Sequence, residues 1–254
     1  MNLLKITLTG MIFSTSLLSY EVSDYIDKTN CDRLINKQVY DICYDYDYKG
    51  ATSVDYVLDG TKVNFMNIKK RPKFYSEKNL KSKYKTKTSD YTYTGLDRGH
   101  VYSDASADWD QKVLNKVYTM ANIIPQYPNV NRDIWFKGEE YERSVAYKLG
   151  SLNVVNIIVY DNPKNYLKRM PLEKAMKDYP KFNWNNTKQS RYLNDSKKLI
   201  KKKIVIPSGF IKVFFNTEAD FEKCFYWEND PNANSESDRL KNHVIDCKEV
   251  VDFK

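Results

Sequence analysis

The sequence predicts an α+β fold, a mostly antiparallel sheet with packed helices. Three observations carry this: several short strand-like runs bounded by turn residues, one clear segment with helical spacing, and no internal repeat or Pro/Gly/Ser linker that would split the chain. Residues 21–40 read as a short helix or an irregular segment. From Tyr40 to Val63 the pattern is β-like, with Cys43, Tyr44, Tyr46 and Tyr48, then Thr52 to Leu58, then Thr61 to Phe65. The Asp59–Gly60 turn signal between the last two runs predicts a hairpin there. Leu114 to Ala121 mixes Val, Tyr and Met and reads as a strand. Asn131 to Leu149 reads as a helix, because Ile134, Trp135, Tyr141, Val145 and Leu149 can share a broad face. Leu152 to Tyr160 reads as a buried strand. Ile204 to Ile206 and Phe210 to Asn216 read as two more strands around a turn at Pro207–Gly209, and residues 228–239 as a polar loop.

The chain has 254 residues, 41 Lys and Arg against 33 Asp and Glu, and a formal net charge of +8. The 41% hydrophobic and 29% charged residues are ordinary globular usage, which argues against wholesale disorder and a collagen-like chain. After the N-terminus no run approaches the ~20 apolar residues of a membrane span, so a polytopic membrane protein is excluded as well. Residues 1–20 carry one charge, Lys5, followed by an apolar run from Ile6 to Leu18. This fits a secretory signal peptide, with an uncleaved anchor or a buried first helix as the alternative. The expectation is a signal peptide over 1–20 and a single domain over 21–254, secreted or periplasmic, with no membrane insertion once the signal is removed. Oligomeric state is not readable.

The four cysteines, Cys31, Cys43, Cys224 and Cys247, contain no C-x-x-C pair, which gives a zinc ribbon or a thioredoxin-like site little support. In an oxidising compartment they allow three pairings, of which the local one, Cys31–Cys43 with Cys224–Cys247, is the simplest. Free buried thiols are the alternative.

The positive charge is concentrated. From Lys69 to Lys87 there are nine basic residues against one acid, Glu77, a net of +8. Lys81, Lys83, Lys85 and Lys87 alternate and would point the same way in an extended chain. Phe74, Tyr75, Tyr84, Tyr91 and Tyr93 are interleaved with them. Lysines on phosphates and bases on aromatic rings hold nucleic acid without reading its sequence, so Lys81, Lys83 and Lys85 are candidate substrate contacts. The competing reading is an edge strand protected by lysines. Lys197, Lys198 and Lys201–Lys203 form a second basic cluster, read as a solvated face.

The chain has two histidines. His243 lies near a cysteine and reads as structural. His100 closes Asp97-Arg98-Gly99-His100, and downstream come Asn122, Pro125, Gln126, Asn131, Trp135, Glu139 and Arg143. Asn131 to Glu139 is about two helical turns, and Arg143 follows Glu139 at i,i+4, so these side chains can reach one side of a helix.

Asp97-Arg98-Gly99-His100, Asn122-x-x-Pro125-Gln126 and Asn131-x-x-x-Trp135-x-x-x-Glu139 together resemble the DNA/RNA non-specific endonucleases with the ββα-metal, or His-Me, finger. Ser89 to Leu96 also matches the approach to that motif, and the resemblance covers roughly residues 40 to 180. It implies an embedded ββα-metal finger and hydrolysis of phosphodiester bonds in DNA, RNA or both, leaving 5′-phosphate ends. His100 would be the general base. Asn131 would be the one direct protein ligand to a divalent cation, Mg²⁺ with Mn²⁺ as the alternative. Glu139 would hold metal-bound water, and Arg98 would stabilise phosphoryl charge with help from Arg143. Asn122 and Gln126 would order the site. The chemistry is consistent: a neutral imidazole can take a proton from water, and a hard cation that keeps several waters needs few protein oxygens.

The chain departs from the family at Val101-Tyr102-Ser103-Asp104-Ala105, where members commonly carry an Ala-Pro loop. Asp104, Asp108 and Asp110 bring negative charge there, to tune metal binding or repel substrate. The competing functions are a nucleic-acid-binding protein on the same scaffold without turnover, and an inter-bacterial toxin built on the same core.

Overall fold

A computed structural model of the chain describes residues 19–63, 67–178, 185, 189, 203–233 and 238–250. The expected signal peptide lies outside them apart from Ser19 and Tyr20, as do Phe65 and the lysines at 197, 198, 201 and 202. The strands are β1 (Arg33–Asn36), β2 (Tyr40–Asp45), β3 (Gly50–Asp59), β4 (Asp97–His100), β5 (Ile123–Gln126), β6 (Ser151–Val159), β7 (Gly209–Asn216), β8 (Phe221–Glu228) and β9 (Val244–Ile245). The helices used below are α1 (Val22–Tyr25), α2 (Gln111–Val117) and α3 (Trp135–Leu149). The fold is α+β, as predicted. Seven strands form one sheet in the order β1-β2-β3-β6-β7-β8-β9, every neighbouring pair antiparallel, while β4 and β5 form a separate hairpin.

The apolar continuity of β6 and β7 follows from burial on both faces. On one face Val154, Ile158, Phe210 and Phe214 join the main core, which includes Trp135 of α3 and Ile124 of β5. On the other, Val155, Ile157, Ile211, Val213 and Phe215 pack with Tyr25, Ile26 and Val250. Each sheet edge carries a disulfide. Cys31–Cys43 closes 12 residues and Cys224–Cys247 closes 23, the local pairing expected. Each contributes about 3 kcal/mol on the chain-entropy model.

Four local predictions are corrected. The hairpin lies between β2 and β3, one turn earlier than Asp59–Gly60. Asp45 Oδ1 accepts from the backbone N–H of Asp47 and Tyr48, and Lys49 adopts φ 57°, which together turn the chain. β3 continues to Asp59 and pairs with β6; Thr61 to Val63 is a turn. Gly60 is needed there because an added Cβ would overlap the carbonyl of Ala146 at the end of α3. Leu114 to Ala121 is the end of α2 followed by a 3₁₀ turn, not a strand. Asp110 caps α2 by accepting from Lys112 and Val113 N–H, a signal that outweighs the β-like composition. Ile204–Ile206 makes only a single bridge, Val205 to Tyr166, and the real strand starts at Gly209. Finally, Lys69–Lys87 is a chain of turns and irregular backbone, so neither the single row of lysines nor the edge strand exists.

Candidate active site

β4 and β5 pair with His100 opposite Ile123 and Asp97 opposite Gln126, and the next long element is α3, preceded by a π turn at Val130–Ile134. This is the hairpin-then-helix order of a ββα finger. Gly99 is set by sterics: a Cβ at that position would overlap Gln126 Oε1. Gln126 is buried against that backbone, and neither amide atom has a hydrogen-bond partner among the described residues. Asn122 is buried and fully used. Its Oδ1 accepts from Tyr102 N–H at 2.9 Å, and its Nδ2 donates to the carbonyls of Tyr102 and Val117 at 3.0 and 2.9 Å. It therefore pins the loop that follows His100.

His100 is half-buried between the rings of Phe74 and Tyr118, at centroid distances of 5.4 and 4.9 Å. Its Nε2 is buried without a partner among the described residues. Burial pushes its pKa down to about 4; Asp104 opposes the shift, while Arg71 and Arg98 add to it. Arg98 is exposed, with its guanidinium 5.0 Å from the centre of the Phe74 ring.

Asn131 sits on the π turn and donates Nδ2 to Asp97 Oδ2 at 3.0 Å. Arg132 grips the same carboxylate with two bonds of 2.7 Å. The first residue of the motif thus orients the amide, leaving the carbonyl oxygen of Asn131 as its available acceptor. Two turns beyond Asn131, on α3, Glu139 is half-buried, and burial raises its carboxyl to about 8. Lys212 and Arg143 pull it back, while Glu142 and Asp104 push it further up. Arg143 donates Nη1 to Ser106 Oγ at 3.4 Å.

Beside Glu139 lies a pair that sequence reasoning missed. Glu142 and Lys212 are both fully buried and meet at 2.7 Å. Glu142 also accepts from Tyr56 Oη and Ser106 Oγ. The available signal was a lysine inside the apolar run Phe210–Phe215, which a central strand tolerates only with a buried partner.

The acidic residues of the departing loop also have definite places. Arg71 bonds Asp104 at 3.3 Å and Asp108 at 3.0 Å, Tyr118 Oη donates to Asp104, and Asp110 caps α2. Val101, Tyr102 and Ser103 are buried, with Tyr102 stacked on Tyr56 at 3.9 Å. The loop is therefore part of the core, and two of its negative charges are paired with an arginine from the basic segment.

Lys81, Lys83 and Lys85 make no hydrogen bond to His100, Asn131 or Glu139. Glu77, the one acid of their segment, is buried against Lys37 and Thr119, so it does not offset the lysines at the surface. Among the described residues, no three His, Cys, Asp or Glu side chains converge as a metal cage. The residues able to hold a cation are Asn131, through an amide oxygen, and Glu139, a carboxylate that a positive charge would draw back to its ionised form. Both are hard oxygen donors that fit Mg²⁺ or Mn²⁺.

A family model for DNA/RNA non-specific endonucleases matches residues 22–253. The chain belongs to that family. The family match extends past the 40–180 stretch that holds the motifs and takes in β7, β8 and all four cysteines. Human mitochondrial endonuclease G is 27% identical over 114 residues, 45% of this chain and 38% of that protein. Mitochondrial nuclease 1 of Schizosaccharomyces pombe is 30% identical over 105 residues, 39% and 33% of the two chains. The chain therefore spans little more than a third of the length of these curated relatives. In the crystal structure of the EndoG/EndoGI complex, one chain superposes with a TM-score of 0.63 at 17% identity, covering 85% of this chain and 81% of that one. That likeness concerns the fold.

Proposed function

We propose that this member of the non-specific endonuclease family is an exported, metal-dependent enzyme that hydrolyses phosphodiester bonds of DNA, RNA or both. The observation that carries the reading is the environment of His100. Its imidazole is half-buried, has no hydrogen bond among the described residues, and titrates at about 4, so it is neutral at physiological pH. A neutral imidazole can accept the proton of an attacking water. The low pKa weakens it as a base, but an approaching anionic phosphate raises it by direct Coulomb attraction.

Asn131, oriented by Asp97, would hold Mg²⁺ or Mn²⁺ through its carbonyl oxygen, and Glu139 would accept hydrogen bonds from water around the ion. When bound, the cation polarises the phosphate and stabilises the leaving oxygen. Arg98 is exposed at the end of the finger and would meet the phosphoryl oxygens; Arg143, tied to Ser106, would steady the charge around Glu139. Asn122 and Gln126 would hold the loop and strand that carry His100. Lys81, Lys83 and Lys85 would contact the backbone of the substrate. Residues 1–20 would direct export, and two disulfides suit an oxidising compartment.

The test incubates purified protein with plasmid DNA and with RNA, in Mg²⁺ and in chelator, alongside His100→Ala. The expected result is cleavage in Mg²⁺ only, reduced about 10²- to 10⁴-fold in the variant. Intact substrates with wild type, or equal cutting by the variant, would overturn the reading.

A further inference from the structure

Of the second basic cluster, Lys203 is among the described residues. Lys203, from its end, lines an open groove together with Lys83 from the first basic segment, Lys49 from the β2–β3 turn and Lys164 from the loop after β6. Tyr48 and Tyr166 line the same groove, whose volume is about 510 Å³. Among the described residues Asp47 is the one acid on its wall, against four lysines. None of the four ammonium groups pairs with a carboxylate among the described residues. Three lie against tyrosine rings instead: Lys83 at 4.5 Å and Lys49 at 5.3 Å from the centre of Tyr84, and Lys203 at 5.7 Å from that of Tyr166. Both Lys49 and Lys203 occupy left-handed backbone, at φ 57° and 48°, where Gly or Asn is cheaper. Backbone held in such a region clusters at functional sites; at Lys49 it also serves the β2–β3 turn, where the ammonium donates to the Tyr46 carbonyl at 2.6 Å.

The groove shares no residue with the finger or with α3. Leu167 and Ile204, next in sequence to Tyr166 and Lys203, pack with Tyr91 and Ile123, and Ile123 is the strand partner of His100. The groove is therefore linked to the finger through one apolar cluster. Four lysines lining one groove with tyrosines match the chemistry of a sugar–phosphate backbone, bound without reading bases.

We propose that this groove is a second strand-binding site, holding the phosphodiester backbone of a nucleic acid away from the point of cleavage. It rests on the nuclease reading and adds to it: of the three substrate-contact lysines, it places Lys83 in a built site and leaves Lys81 and Lys85 outside.

The test is lysine footprinting of the wild-type protein in chelator, reading acetylation by mass spectrometry. The probes are single-stranded DNA and RNA of about 20 nucleotides, longer than one such groove, and inorganic phosphate alone. Several-fold slower acetylation of Lys49, Lys164 and Lys203 with either strand, with Lys248 unchanged, is expected; phosphate alone should not protect. A combined Lys49→Gly, Lys164→Ser, Lys203→Gly variant keeps glycine where φ is positive. It should flatten the salt dependence of oligonucleotide binding by about two units, from roughly 0.7 per phosphate contact. No protection of the groove by a strand, full protection by phosphate alone, or an unchanged slope overturns the proposal. If wild type still cuts plasmid in any of those cases, the groove is rejected and the nuclease reading stands. If wild type neither binds nor cuts nucleic acid, both fall.

Discussion

The two histidines occupy opposite kinds of surroundings. His243 has each ring nitrogen within hydrogen-bond distance of an acceptor, Tyr226 O at 3.0 Å and Asp238 Oδ2 at 2.8 Å, and stacks on Trp227. His100 has no hydrogen bond among the described residues, and its Nε2 is buried bare. A satisfied imidazole holds structure together; an unsatisfied one is kept at a cost and is available for chemistry. The same contrast separates the amides of the finger. Asn122 has both its amide nitrogen and its carbonyl oxygen bonded to backbone, whereas Asn131 has an amide clamped by Asp97 with its carbonyl left over.

Exchanging the roles of the histidines is the strongest way to break this comparison. His100→Ala should lower activity about 10²- to 10⁴-fold and leave thermal stability near wild type. His243→Ala should do the reverse, lowering unfolding free energy by about 1–3 kcal/mol for two lost hydrogen bonds while plasmid cleavage stays within a few-fold. Equal activity losses in the two variants would remove the distinction.

The next effect concerns the buried pair behind Glu139. Lys212→Met alone strands the Glu142 carboxylate and should destabilise by about 3–5 kcal/mol in chemical denaturation. Adding Glu142→Leu should recover a large part of that loss, since two apolar side chains replace a desolvated pair. A double variant as unstable as the single would show that the network around Tyr56 and Ser106, not the ion pair, holds the site.

Gly99→Ala tests the packing of the finger itself. The new methyl would overlap Gln126 Oε1, so a loss of about 1–3 kcal/mol is expected. Combining it with Gln126→Ala should return most of this.

The smallest effect is electrostatic. In the metal-free protein Glu139 titrates at about 8 against an ordinary 4.5, so between those values the folded state holds one proton more than the unfolded. Its contribution to stability falls as pH rises through that window. His100, lowered from 6.5 to about 4, acts in the other direction: its contribution rises from pH 4 to 6.5 and is level above. Between pH 6.5 and 8, of these two groups, only Glu139 changes. Melting temperature in chelator should therefore fall over that interval in wild type, and Glu139→Gln should flatten the fall.

What was legible in the sequence was local or periodic. Asp97 to His100 is four consecutive residues, and Asn131 to Glu139 is a helical repeat, so both survive reading along one dimension. The disulfides were legible because the local pairing is the one that forms. The Glu142–Lys212 pair was not, because its partners are 70 residues apart and meet only once β7 packs under α3. The basic groove was hidden for the same reason, being assembled from four separate segments. The hairpin was misplaced because Asp59–Gly60 is a strong turn dipeptide, whereas the true turn relies on an Asp45 side chain and a left-handed lysine. Along the sequence Asp110 looks like a charge near the site, although its position before Val113, Leu114 and Val117 marks it as a helix cap.

The most direct test is the pH dependence of kcat/KM for plasmid cleavage at saturating Mg²⁺, in wild type and in the residual activity of His100→Ala. Wild type should show an acid limb with an apparent pKa below 6.5, the ordinary histidine value, and the variant should lose that limb. A limb that persists unchanged in His100→Ala would contradict the assignment of His100 as the base.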